Sequence, residues 1–199
     1  MSKDKDFWLK IAAVCGILTL IIAFTCILTA IALYPSFSWT ENALSDLGIV
    51  EGATSMIFNG GLVASGILTL AFAAGVNTYL QESITWKIGA FLFALDAIAL
   101  MTIGVFPEKT APHFPASLAF FALFPLAMLF VGTALTRKGE KKMAAFSSIA
   151  AIFSIAVWAF QYTVGFGKGV AIPETLTSLA VSAWALALGF KILKQPKRQ

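Results

Sequence analysis

Residues 11–34 read IAAVCGILTLIIAFTCILTAIALY, 24 residues without a single charge. A helix needs about 20 mostly apolar residues to cross a bilayer. This run is therefore long enough to span. It is continuous and rich in Ala, Leu and Ile, unlike the ~10-residue alternating segments of a transmembrane barrel. Working outward, five further apolar runs follow at about 53–80, 88–106, 111–136, 143–166 and 174–191. The last is short and flanked by Glu174 and Lys191. Its ends are expected to extend, with Lys191 snorkelling to the interface.

Composition leads to the same class. The chain of 199 residues is 59% hydrophobic and 12% charged, against about 45–50% and 25% in soluble domains. A soluble fold of this size has too little interior for so much apolar surface. Low charge excludes a disordered chain, and two cysteines exclude a disulfide-stapled one. The expectation is an all-α, polytopic integral membrane protein, with six transmembrane helices in one compact domain over residues 1–199. The longest connection, 36–52, is too short to divide the chain. The first run is too long for the apolar region of a signal peptide and no small-residue cleavage site follows it, so it is read as the first span.

Basic residues set the orientation of such a bundle. With the N-terminus inside, 12 Lys and Arg fall on inner segments, and only Lys109 and Lys168 fall on outer ones. Both termini are thus expected on the cytoplasmic side of the cell membrane. The net charge of +4 follows from this bias and does not point to nucleic acid. A basic inner face attracts anionic lipid headgroups, so membrane lipids are the expected partners. Self-association stays open, because stripes of small residues serve contacts between chains as well as within one. Cys15 and Cys26, eleven residues apart on one helix, are ~16 Å apart along its axis and cannot pair.

The chemistry collects at the outer end. The first outer loop carries Ser45 and Asp46 between Leu44 and Leu47, which suggests a loop that dips toward the helices. The second carries Glu108 and His113, with Pro107 and Pro112 restricting the chain between them. Ser117 follows His113 by four residues and shares its helix face. Gln161 stands near the outer end of the fifth run, where interfacial anchoring explains Trp158 and Tyr162 but not an amide. Asn59 heads a small-residue stripe of Gly61, Ser65 and Thr69 on the second run. Asp96 lies near mid-membrane, where an acid costs a few kcal/mol and faces the protein interior. Its candidate partners are Asn59, Ser65, Thr69 and Ser154. His113 is the only histidine, so a multi-imidazole zinc site is excluded, and no cofactor is called for.

The Ser45-Asp46-Leu47-Gly48 element, Asn59-Gly60-Gly61, the stretch from Gly104 to Glu108, and His113 together resemble the six-helix membrane proteins of the domain of unknown function 998 family. More distantly the chain is similar to the Frag/DRAM/Sfk group. The resemblance implies a compact six-helix bundle with functional residues on the outer side, and it carries no activity. The zinc-dependent intramembrane hydrolases of the alkaline ceramidase kind use several histidines, so with one histidine the comparison with them fails at the catalytic centre.

The candidate ligand-binding residues are therefore Ser45, Asp46, Asn59, Asp96, Glu108, His113, Ser117 and Gln161. Their expected use is to bind a lipid or small amphiphile in an outward-facing polar pocket. A metal-independent hydrolase using His113 with Asp46 or Asp96 is the second reading, and a transporter or scaffold the third. Asp46, Asn59, Glu108 and His113 are expected to form one constellation, in which a cationic imidazole could hold a phosphate or carboxylate headgroup.

Overall fold

The computed structural model describes residues 3–79 and 83–194. Leu80, at the end of the second apolar run, and the basic Lys197 and Arg198 lie outside the described residues. Six α-helices and one short 3-10 helix are present: α1 (Lys3–Ala32), the 3-10 helix (Leu44–Ile49), α2 (Ala53–Tyr79), α3 (Ile84–Val105), α4 (His113–Arg137), α5 (Lys141–Thr163) and α6 (Ala171–Leu193). Each α-helix is 22 to 30 residues long and apolar enough to span. At 1.5 Å per residue even the shortest covers ~33 Å.

Consecutive helices pack side by side, and α6 closes on α1 to complete a ring. The start of α1 and the end of α6 therefore stand at one end, with the end of α2, the start of α3 and the α4–α5 turn. The other end, here the loop face, carries the α1–α2, α3–α4 and α5–α6 connections.

The helix ends depart from the apolar runs for local reasons. α3 starts four residues early because the Ser83 hydroxyl caps it, accepting from the Trp86 N–H at 3.4 Å. α5 stops at Thr163 because Gly165 adopts φ +89° and returns its N–H to the Phe160 carbonyl at 2.9 Å, a left-handed end that suits glycine. α6 starts three residues before Glu174, which brings that acid inside the helix.

In lipid, helices associate through close packing and hydrogen bonds, since lipid tails are as apolar as leucine. The small-residue stripe of α2 does this work. Gly61 lies directly against Cys26 of α1, where any side chain would collide. Ser65 and Thr69 are buried below it, and Thr69 Oγ1 lies 3.4 Å from Thr19 Oγ1 of α1. Nearer the other end, Phe72, Phe93 and Trp184 meet edge-to-face or tilted, with ring centroids 5.2–6.1 Å apart, tying α2, α3 and α6. Trp184 Nε1 donates to Ser147 Oγ at 2.9 Å, which adds α5. Interhelical hydrogen bonds of this kind contribute about 0.6–2 kcal/mol each.

Candidate functional site

The 3-10 helix is a plug in the loop face. Leu44, Leu47 and Gly48 are buried, so the apolar residues flanking Asp46 do carry the loop into the bundle. Four polar fasteners hold it. Asn59 Nδ2 donates to the Gly48 carbonyl at 2.9 Å. Glu174 Oε2 accepts the Leu44 N–H at 2.6 Å. The backbone N–H groups of Gly169 and Ala171 donate to the carbonyls of Thr40 and Asn42 at 2.8 and 2.9 Å. Asn42 links these to Asp46, accepting from the Ser38 N–H at 2.9 Å and donating to Asp46 Oδ2 at 2.7 Å. Asp46 Oδ2 also accepts the Ala43 N–H at 3.0 Å.

Beside the plug, between α4 and α5, is a cavity of about 600 Å³. Its loop-face end is polar, lined by Ser45, Glu108, His113, Ser117 and Glu174. Its walls are apolar, with Phe114, Leu118, Phe121, Leu126, Leu129 and Ile155 along it. Phe114, Leu118, Leu126 and Ile155 are exposed on the flank of the bundle. The cavity therefore opens sideways where lipid would lie, and runs past Pro125 in the middle of α4. Proline has no N–H to return to the Phe121 carbonyl, which weakens the ladder of this wall. Trp158 Nε1, on the α5 side, has no hydrogen-bond partner among the described residues.

At the polar end Ser45 Oγ donates to Glu108 Oε2 at 3.4 Å. Glu108 also shares a hydrogen bond with Asp46. Burial, and then the hydrogen bond and charge of Asp46, push the Glu108 carboxyl above the usual glutamate range, while His113 and Ser45 pull it back. Glu174 is buried within electrostatic reach of both other acids. His113 Nδ1 lies 2.8 Å from the Phe106 carbonyl. A carbonyl only accepts, so Nδ1 carries the proton, and Nε2 is the nitrogen left for the cavity.

The structure gathers some of the expected residues and separates others. Ser45, Glu108, His113 and Ser117 line the cavity, with Asp46 behind Glu108. Asn59 is not part of this group, because its amide is spent on Gly48. Gln161 is spent on the α5–α6 turn, donating to the Gly167 and Gly169 carbonyls at 3.2 and 3.1 Å and accepting from the Phe166 N–H at 3.1 Å. Asp96 does face the bundle and is fully buried. It finds none of the partners expected for it: neither carboxyl oxygen has a hydrogen bond among the described residues, nor does Ser65 Oγ. Thr69 and Ser154 turn their hydroxyls to their own helix backbone. No hydrogen bond joins His113 to Ser45 or Ser117 among the described residues.

Glu174 is the residue that sequence reasoning passed over. Taken as the end of a span, it looked interfacial. Its signal was the helical spacing of Glu174, Thr177, Val181, Trp184 and Leu188, all of which are buried.

Six long apolar helices with a plugged loop face and a side-opening cavity define a multi-pass membrane protein. Over residues 17–191 the chain matches the family described as "Protein of unknown function (DUF998)", and it belongs to that family. No curated protein and no solved structure matches it. The family match bears on the first of the two resemblances; nothing comparable supports the Frag/DRAM/Sfk likeness.

Proposed function

We propose that this protein binds or handles a membrane amphiphile, with its chain in the apolar cavity between α4 and α5 and its headgroup at Ser45, Glu108, His113 and Glu174. The observation that carries this reading is the cavity itself. At about 600 Å³ it falls within the ~300–1,000 Å³ range of small-molecule pockets, and it has the expected apolar lining with a few convergent polar groups. Its side opening gives a lipid a route from the membrane without crossing water. The basic bias of the sequence supports placing the loop face, and so the polar end, on the outer side of the cell membrane. A hydrolase reading would require a nucleophile bonded to its base, and the geometry favours no such pair. A transport reading would require a chain of ionisable groups, and Asp96 has no hydrogen-bond partner among the described residues.

Ala122 is exposed and lines the cavity, so Ala122→Trp fills it without disturbing the core. Lipid that copurifies with the full chain in mild detergent, read by native mass spectrometry, should be lost or fall severalfold in this variant. Unchanged copurifying lipid would overturn the reading.

A further inference from the structure

The polar end of the cavity is a wall of acceptors. Glu174 Oε2 is occupied by the Leu44 N–H, and no hydrogen bond reaches Oε1 among the described residues. Glu108 takes the Ser45 hydroxyl, and Asp46 stands directly behind it. His113 is 8% exposed and spends Nδ1 on the Phe106 carbonyl, and Nε2 has no hydrogen-bond partner among the described residues. Glu108 and Glu174 thus line one end of the cavity, with Asp46 behind Glu108.

No Lys or Arg lines the cavity. The loop face has two basic residues to offer. Lys168 is paired with Glu41 Oε2 at 3.5 Å, and Lys109 is exposed. A phosphate or carboxylate headgroup would meet like charge, which reverses the expectation of an anion held by His113. A neutral hydroxyl would supply a donor and leave the charge unanswered. Among the described residues, no three His, Cys, Asp or Glu side chains stand together closely enough to hold a metal ion. An ammonium group supplies three donors and a positive charge in one compact head, and electrostatic attraction strengthens where water is excluded.

We infer that the headgroup taken by this cavity is a protonated amine, so that the ligand is a cationic amphiphile with its ammonium among Glu108, Glu174 and His113 and its chain along α4. This rests on the amphiphile reading of the cavity and adds the charge of the head.

The test uses the full-length protein in lipid nanodiscs and three probes with one chain: dodecylamine, dodecanol and dodecyl phosphate. Binding is measured by calorimetry and by native mass spectrometry. The amine should bind at least tenfold more tightly than the alcohol, with the phosphate weakest. Glu108→Gln and Glu174→Gln should each lower amine affinity about tenfold and leave dodecanol within twofold. The dodecanol affinity shows that each variant keeps its cavity, and Glu108→Gln serves if Glu174→Gln loosens the plug. Equal binding of amine and alcohol, or tightest binding of the phosphate, overturns the headgroup inference and leaves the amphiphile reading standing. Binding of no probe, together with unchanged copurifying lipid in Ala122→Trp, overturns the amphiphile reading itself.

Discussion

His113 is tethered to Phe106, seven residues back, by a 2.8 Å contact between its Nδ1 and the Phe106 carbonyl. The imidazole thereby ties the first residue of α4 to the residue that ends α3. The turn between them is held at one end of the cavity, and the ring's remaining nitrogen is committed to it.

The tautomer is directly observable, because the chain has one histidine. A nitrogen-15 spectrum above the ring's titration should show Nδ1 protonated and Nε2 bare. His113→Ala should lower thermal stability by about 1 kcal/mol, the usual net worth of a hydrogen bond. A spectrum dominated by the Nε2–H form would contradict the tether.

Glu108 makes stability depend on pH. Its carboxyl is raised by burial and by Asp46, so the folded state holds the proton more tightly than the unfolded chain. By linkage this contribution is complete below the ordinary glutamate value, near pH 4.5, and is lost as pH rises through the raised value. Melting temperature should therefore climb as pH falls from 7 toward 5, and Glu108→Gln should flatten part of the climb. A profile identical in the variant would show that Glu108 does not set the pH response.

Asp96 is fully buried, and neither of its oxygens is hydrogen-bonded among the described residues. Unpaired buried polar groups cost about 1–3 kcal/mol, and an apolar replacement of similar shape is often neutral or stabilising. Asp96→Leu should hold or raise the melting temperature, and Asp96→Asn should keep the fold. A fall of several degrees in Asp96→Leu, read by differential scanning fluorimetry in detergent, would mean that the carboxyl has a stabilising partner.

Orientation can be read at the start of the first long connection. In a background with Cys15 and Cys26 replaced, Ser36→Cys should react with a membrane-impermeant maleimide added outside intact cells. Labelling only after the membrane is opened would reverse the assignment of the loop face.

Helix number, order and approximate ends were legible in the sequence, because the length of an apolar run is itself the physical requirement for crossing a bilayer. The dip of the first loop was legible too, in Leu44 and Leu47 around Asp46. Partners were harder. Asn59 and Gln161 looked like ligand groups because an amide has no business in an apolar run, yet both are taken up by backbone carbonyls of turns that no pattern reveals. Asp96 was legible as buried and wrongly expected to be paired, since spacing along one helix says nothing about what another presents. Glu174 was hidden by three residues of helix. An acid at a span's edge and an acid one turn inside it look alike until the true start at Ala171 is seen.

The bond from the Leu44 N–H to Glu174 joins positions 130 residues apart. A chain made from its N-terminus delivers the plug early and its acceptor near the end. Until the sixth helix has entered the membrane, the first loop has nothing to latch onto and the ring has no closing member. Chains stalled or truncated before α6 should therefore leave the loop face unsealed and open to proteolysis within the first loop, so that cleavage there becomes a clock for the completion of biogenesis.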